Sequence, residues 1–230
     1  MIVHILRPDA TAFSLNRQAA YVGFIKRGAE VQFFDADAQD TLLLDPEDIV
    51  VGGIGIVHGA FSRLGWSIPA LPSVPPELSR FAGRKVWRGP LIDARREVER
   101  GRQIFVKPLP EEPKRFAGQA LTSFADLIAT AHIPDETVVE CAEIVPFVSE
   151  YRCFVLAGDV IGVRPYTGDP LRFPDPAVIR EAVAAFPSAP RAYALDVGVT
   201  EDGQTLLVEV NDAYALGAYG LAPVRYAALI

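Results

Sequence analysis

The run Ala194-Leu195-Asp196-Val197-Gly198-Val199, turning through Glu201-Asp202-Gly203-Gln204 into Leu206-Leu207-Val208-Glu209-Val210-Asn211, decides how the chain is read. Two alternating segments around an Asp-Gly pair are the local signature of an antiparallel hairpin. With the turn centred on Asp202-Gly203, Asp196 lies opposite Glu209, and the period of two returns Asn211 to the same face. Opposed carboxylates repel unless a cation lies between them, and Asp, Glu and Asn offer only hard oxygen donors, a set that suits magnesium. The alternative is a solvated hairpin with its charges outward. On this reading Leu206, Val208 and Val210 fill one face while Leu207 shares the face of Glu209, and such a half-apolar strand favours the cation.

Working back along the chain, Glu150-Tyr151-Arg152-Cys153-Phe154 reads as a strand with Glu150, Arg152 and Phe154 on one face. A three-residue loop at Ala157-Gly158-Asp159 sets Arg152 opposite Arg164 and Glu150 opposite Tyr166. Two arginines on one strand face call for anions; an Arg–Glu ladder on a solvated sheet is the competing explanation. Glu143 and the apolar linker Ile144-Val145-Pro146 precede this strand. Earlier still, Ile104-Phe105-Val106-Lys107-Pro108 ends a buried strand on a lysine, which rarely sits there without an anionic partner, and phosphate is a natural one. The loop Lys114-Arg115-Phe116-Ala117-Gly118 either lays backbone N–H groups and an ammonium on phosphate oxygens or is a plain surface loop.

Taken in order, FVKP, then E-IVPFVSEYR, then ALDVG and LLVEVND, these segments resemble the ATP-grasp superfamily over roughly Gln103 to Tyr219, about half of the chain. The resemblance implies an α+β fold of antiparallel sheets with helices, ATP lying between two subdomains. It implies that Lys107 contacts the α-phosphate and adenine, and that the family's other nucleotide-binding lysine is Lys85 or is functionally replaced by Lys114. The hinge around Val145, after Glu143, would hold adenine by backbone groups, and Glu150 would bind the ribose. Asp196, Glu209 and Asn211 would hold two Mg2+ ions, and Arg152 and Arg164 would serve the triphosphate or an acyl-phosphate. The implied activity is that of an ATP- and magnesium-dependent carboxylate–amine or carboxylate–thiol ligase acting through an acyl-phosphate on small-molecule or peptide substrates. An ATP-grasp phosphotransferase and a non-catalytic ATP-binding module are the alternatives.

Outside this region the chain is that of an acidic globular protein. The balance of 22 Lys and Arg against 29 Asp and Glu gives a net charge of −7, which argues against a nucleic-acid partner held through its phosphate backbone. The longest apolar stretch, Ile49 to Val57, contains Gly52, Gly53 and Gly55 and is far shorter than the roughly 20 residues of a membrane span. Two cysteines, Cys141 and Cys153, make no disulfide framework, so a reducing cytoplasm is expected. Towards the N-terminus the order is strand 2–6, helix 13–27, strand 30–34, strand 48–56 and a helical piece at 58–64, a small α/β unit with a parallel sheet. Prolines 69, 72, 75 and 76 follow, and a boundary after them gives an α/β domain over 1–77 and an ATP-grasp domain over 78–230. In the latter, strands are expected at 103–106, 137–141, 150–156, 160–165, 192–199 and 206–210, with helices near 124–130 and 176–185.

Overall fold

The computed structural model describes residues 1–7, 14–68, 70–109 and 116–230. Strands β1 (Ile2–Leu6), β2 (Glu30–Phe34) and β3 (Ile49–Val51) form a parallel sheet in the order β2-β1-β3, accompanied by helices α1 (Leu15–Lys26) and α2 (Ile54–Arg63). The third strand is shorter than its sequence suggests. Gly52 and Gly53 break it, Gly53 caps α2, and Val57 and Ala60 form the helix's buried side, so residues 54–56 belong to the helix. The Asp48 carboxylate ties the sheet's entry together, accepting from the backbone N–H groups of Ile2 (2.6 Å) and Asp45 (3.1 Å).

A 3-10 turn at Pro76–Phe81 leads into a second sheet built from β4 (Val86–Pro90), β5 (Ile104–Pro108), β6 (Gln119–Leu121) and β7 (Val138–Glu143), in the antiparallel order β4-β7-β5-β6. Helices α3 (Leu91–Glu99) and α4 (Phe124–Ala129) accompany it. Leu91, Val98, Ile104, Val106, Leu121, Val139 and Cys141 form the core on one side of this sheet. On its other side Arg88, Glu140 and Lys107 stand in one cross-strand row.

The third sheet holds the long strands β8 (Phe147–Leu156), β9 (Asp159–Gly168), β10 (Ala192–Thr200) and β11 (Thr205–Asp212), ordered β11-β10-β8-β9. It is covered on both faces. Tyr151, Cys153, Val155, Leu195, Val197, Leu207 and Val210 pack against Ile179 and Ala182 of α5 (Pro176–Ala184) and against Leu78 and Phe81. On the opposite face Phe154 and Ala194 meet Val3, Ile5, Ala20 and Phe24 of the N-terminal unit, together with Leu216, Leu221, Tyr226 and Leu229 around α6 (Pro223–Leu229). Burial raises the thiol pKa of Cys141 to about 11 and that of Cys153 to about 12, and the two form no disulfide.

Both hairpins of this sheet depart from a simple register. Between β8 and β9 the turn is two residues, Ala157-Gly158, both with positive φ (52° and 86°), rather than three. An irregularity at Ile161 then restores the pairing of Arg152 with Arg164, and a second, at Tyr166, moves Thr167 opposite Glu150. Between β10 and β11 the backbone turns at Glu201-Asp202-Gly203, with Gly203 at φ 84°, the three-residue hairpin geometry that needs a left-handed residue in that place. Val197 therefore faces Leu207, and a β-bulge at Val208 brings Asp196 opposite Glu209. The expected pairing is present, but the faces between turn and bulge are exchanged: Leu207 joins Val210 in the core, and Leu206 shares the side of Glu209.

Candidate functional site

The side of the third sheet that carries Asp196 is apolar at one end, where Ala194 and Phe154 meet the N-terminal core, and charged at the other. Register sets Arg152, Asp196 and Glu209 side by side on β8, β10 and β11, with Asn211 two residues on. Arg152 holds Asp196 by two parallel bonds, Nε to Oδ1 at 2.8 Å and Nη2 to Oδ2 at 2.6 Å. The Asn211 amide bridges the two acids, donating to Asp196 Oδ2 at 3.0 Å and to Glu209 Oε1 at 3.1 Å. From the second sheet Lys107 reaches across to Glu209 Oε2 at 2.6 Å and also stands 3.4 Å from Glu140. Lys107, Arg152, Asp196, Glu209 and Asn211 thus form one network between two sheets.

The cations that reconcile the paired carboxylates are Lys107 and Arg152. Asp196 is 1% exposed, and that burial lifts its carboxyl above the ordinary carboxylate range while the Arg152 guanidinium pulls the other way. Burial acts on Glu209 too, but the ammonium of Lys107, the Asn211 amide and Arg152 outweigh it and hold its carboxyl below the ordinary value. Among the described residues no three His, Cys, Asp or Glu side chains form a metal cluster. The hard oxygen donors of Glu209 and Asn211, backed by Asp196, nonetheless fit a magnesium ion in kind. Glu209 is the more accessible acid, its side chain 30% exposed, whereas both oxygens of Asp196 are already engaged by Arg152.

The remaining expected residues lie around this network to differing degrees. Glu150 accepts a hydrogen bond from the Tyr166 hydroxyl at 2.6 Å, so the bulge that moves Tyr166 out of direct opposition leaves the two in contact. Burial, Asp196 and Glu150 drive the Tyr166 phenol upward in pKa, keeping it a donor. Glu143 closes the end of the β4–β7 pairing: its carboxylate accepts from the Lys85 N–H at 2.8 Å, and its own N–H donates to the Lys85 carbonyl at 3.0 Å. Val145 is half-buried in the connection from β7 to β8. Arg164, across from Arg152, turns its Nε to the Gly220 carbonyl at 3.1 Å and its Nη1 to its neighbour's carbonyl, away from the acids. Lys114 lies outside the described residues.

Three contributors were not apparent from sequence. Glu140 pairs with Lys107 only because β7 runs beside β5 across an intervening strand and helix, a register that no local turn announces. Tyr219 places its ring 4.8 Å from the Arg152 guanidinium and beside Tyr166 (5.6 Å), from a backbone held at φ 43°; that non-glycine positive φ has no sequence signature. Arg84 donates to the Leu207 and Val208 carbonyls at 2.7 and 2.8 Å.

Comparison with known proteins places this geometry. A search of curated proteins returns no match. Similar solved structures include a RimK domain ATP-grasp protein from Sphaerobacter thermophilus DSM 20745 (17% identity, TM-score 0.60, covering 100% of this chain and 99% of the other). D-cycloserine synthetase DcsG aligns at 13% identity with a TM-score of 0.63, over 100% and 98% of the two chains. D-alanine–D-alanine ligase from Bacillus anthracis aligns at 13% identity with a TM-score of 0.56, over 100% and 94%. These are likenesses of fold, and all three share the α+β ATP-grasp architecture. Residues 81–229, well over half of the chain, match the family model described as ATP-grasp domain, R-2-K clade family 2, and the chain belongs to that family.

Proposed function

We propose that the protein is an ATP- and magnesium-dependent ligase joining a carboxylate to an amine through an acyl-phosphate. The observation that carries this reading is the convergence of Lys107, Arg152, Asp196, Glu209 and Asn211 from two facing sheets into one charged network. Lys107, released from Glu209, is a point charge for a nucleotide phosphate. Glu150, oriented by Tyr166, receives the ribose hydroxyls, and the backbone around Val145, following Glu143, holds the adenine. Glu209 and Asn211, with Asp196 behind them, hold the magnesium, which when bound would neutralise charge on the transferring phosphoryl group. Arg152, fixed by Asp196 and capped by Tyr219, is preorganised for an anion, a role worth a few kcal/mol per donor in such sites. Arg164 and Lys114 are the further cations assigned to the phosphate or acyl-phosphate. In domain terms, residues 1–77 form an accessory α/β unit and 78–230 the catalytic one, working in the cytoplasm.

The substrate class follows from relatives whose own descriptions name amino-acid and peptide chemistry, among them D-alanine–D-alanine ligase and the macrocyclase MdnC, bound with its precursor peptide MdnA, from Microcystis aeruginosa MRC. The test is a screen of amino acids and peptides for ADP release in the presence of ATP and magnesium. Release that needs both a carboxylate and an amine supports the ligase. Release with the carboxylate alone indicates a phosphotransferase, and ATP binding with no release across the screen indicates a non-catalytic module.

A further inference from the structure

We infer that Arg84 is a positioning residue: by holding the β-bulge at Val208 it turns Glu209 toward Asp196 and so assembles the acidic side of the site. The bulge decides which way Glu209 points. From the turn up to Val197 the paired positions run Val199–Thr205, Gly198–Leu206 and Val197–Leu207. Continued without interruption, that register would put Val208 opposite Asp196 and send Glu209 to the other side of the sheet, into the core that Leu207 and Val210 occupy. One extra residue prevents this.

Arg84 is placed to hold that extra residue. Its guanidinium donates from Nη1 to the Leu207 carbonyl and from Nη2 to the Val208 carbonyl, with a further bond to Ala82 at 3.1 Å. In a regular strand successive carbonyls point to opposite sides, so one planar fork receiving two consecutive carbonyls matches a bulge and not a strand. None of these bonds goes to a carboxylate, although burial bears down on the charge and Glu140, Glu150 and Glu209 offset it only from a distance. The surroundings are equally tight. At neighbouring Gly83 a Cβ would come within 2.7 Å of Leu206, and beyond the bulge the Val210 N–H donates to the Ser73 carbonyl at 2.7 Å. The outer edge of β11 is therefore gripped on both sides of Val208 by the segment that precedes β4.

The activity part of the test rests on the ligase reading above; the register part does not. Arg84→Met keeps the stem and removes the fork. Cross-strand backbone nuclear Overhauser contacts of Asp196 should move from Glu209 to Val208, and ADP release should fall by on the order of 100-fold, the scale of a small misplacement of a catalytic group. Deleting Val208 in the Arg84→Met chain removes the need for a bulge, and should restore both the Asp196–Glu209 contact and ADP release. Should Arg84→Met not fold, Arg84→Lys, which cannot fork across two carbonyls, is read in the same way. An Asp196–Glu209 contact unchanged in these variants overturns the proposal, and so does a double variant with the contact restored and activity still lost. If the parent protein releases no ADP, the ligase reading fails while the contacts still decide the role of Arg84.

Discussion

Lys107 shows how much one side chain ties together. It bonds Glu209 at 2.6 Å and stands by Glu140, so it joins the second sheet to the third, and in the proposed function it also offers charge to phosphate. Replacing it with methionine should weaken ATP binding roughly ten- to a hundredfold, the scale of one charge-assisted hydrogen bond of about 1.5–3 kcal/mol; calorimetric titration of a folded variant with unchanged affinity would remove Lys107 from the site. Asp196 carries a different burden, since both its oxygens neutralise a buried arginine. Asp196→Asn should abolish ATP turnover and also lower the thermal midpoint, because breaking a buried ion pair costs about 3–5 kcal/mol. A variant that keeps turnover would show that the chemistry lies elsewhere. At this scale the sequence was informative: Lys107 at a strand end, and Asp196, Glu209 and Asn211 around one turn, could be read from spacing. Glu140 and Tyr219 could not, because strand order in one case and a positive φ in the other bring them to the site.

At the scale of elements, the two hairpins explain why a correct pairing could be reached from incorrect details. A local turn advertises itself through Gly203 and Gly158, so the strands and their partners were legible. The bulges at Ile161, Tyr166 and Val208 have no such marker, since any residue can be the extra one; with the turn one residue longer than its Asp-Gly pair suggests, the bulge at Val208 leaves Leu206 and Leu207 on exchanged faces, and the one at Tyr166 moves Thr167 opposite Glu150. β4, α3 and β6 escaped notice for a related reason: β4 ends in Gly-Pro, and β6 is three residues long, too short for alternation to show. Gly203 provides a clean measurement. Its φ of 84° lies in the left-handed region with open space around it, so Gly203→Ala should destabilise the protein by roughly 1–2 kcal/mol through backbone conformation alone. Urea denaturation reads that loss, and ATP affinity should be unaltered because the network lies beyond the bulge. An unchanged midpoint would mean the turn is shaped by its neighbours instead.

For the whole molecule, the parallel unit and the third sheet share a core, and Asp48 anchors the entry of β1 into it. Burial opposes its charge, but the Ile2 and Asp45 N–H groups and His4 outweigh burial and hold its carboxyl below the ordinary value. In the unfolded chain the group binds protons at higher pH than in the folded one, so its contribution is complete above the unfolded value near 3.8 and is lost as pH falls through the lower folded value. Asp48→Ala should cost about 1.5–3 kcal/mol, the scale of a hydrogen bond to a charged group, and should flatten the acid limb of the stability curve. Thermal midpoints from pH 2 to 7 test both effects, and an unaltered acid limb would remove Asp48 from the balance. Among the described residues no helix is long and apolar enough to cross a membrane, in keeping with the broken apolar run at 49–57.

The seam between α1 and α6 has a consequence in time. Gly23 packs so closely on the Pro223 carbonyl and Ala227 that any larger side chain would strike them, Asn16 accepts from the Ala218 N–H at 2.9 Å, and Val3 and Ile5 share their core with Tyr226 and Leu229. These partners are some 200 residues apart along the chain. On a ribosome adding about 5–20 residues per second, the first strand and helix wait roughly 10 to 40 s for the segment that covers them. During that interval the apolar sides of β1 and α1 are open to chaperones, and to other nascent chains of the same kind.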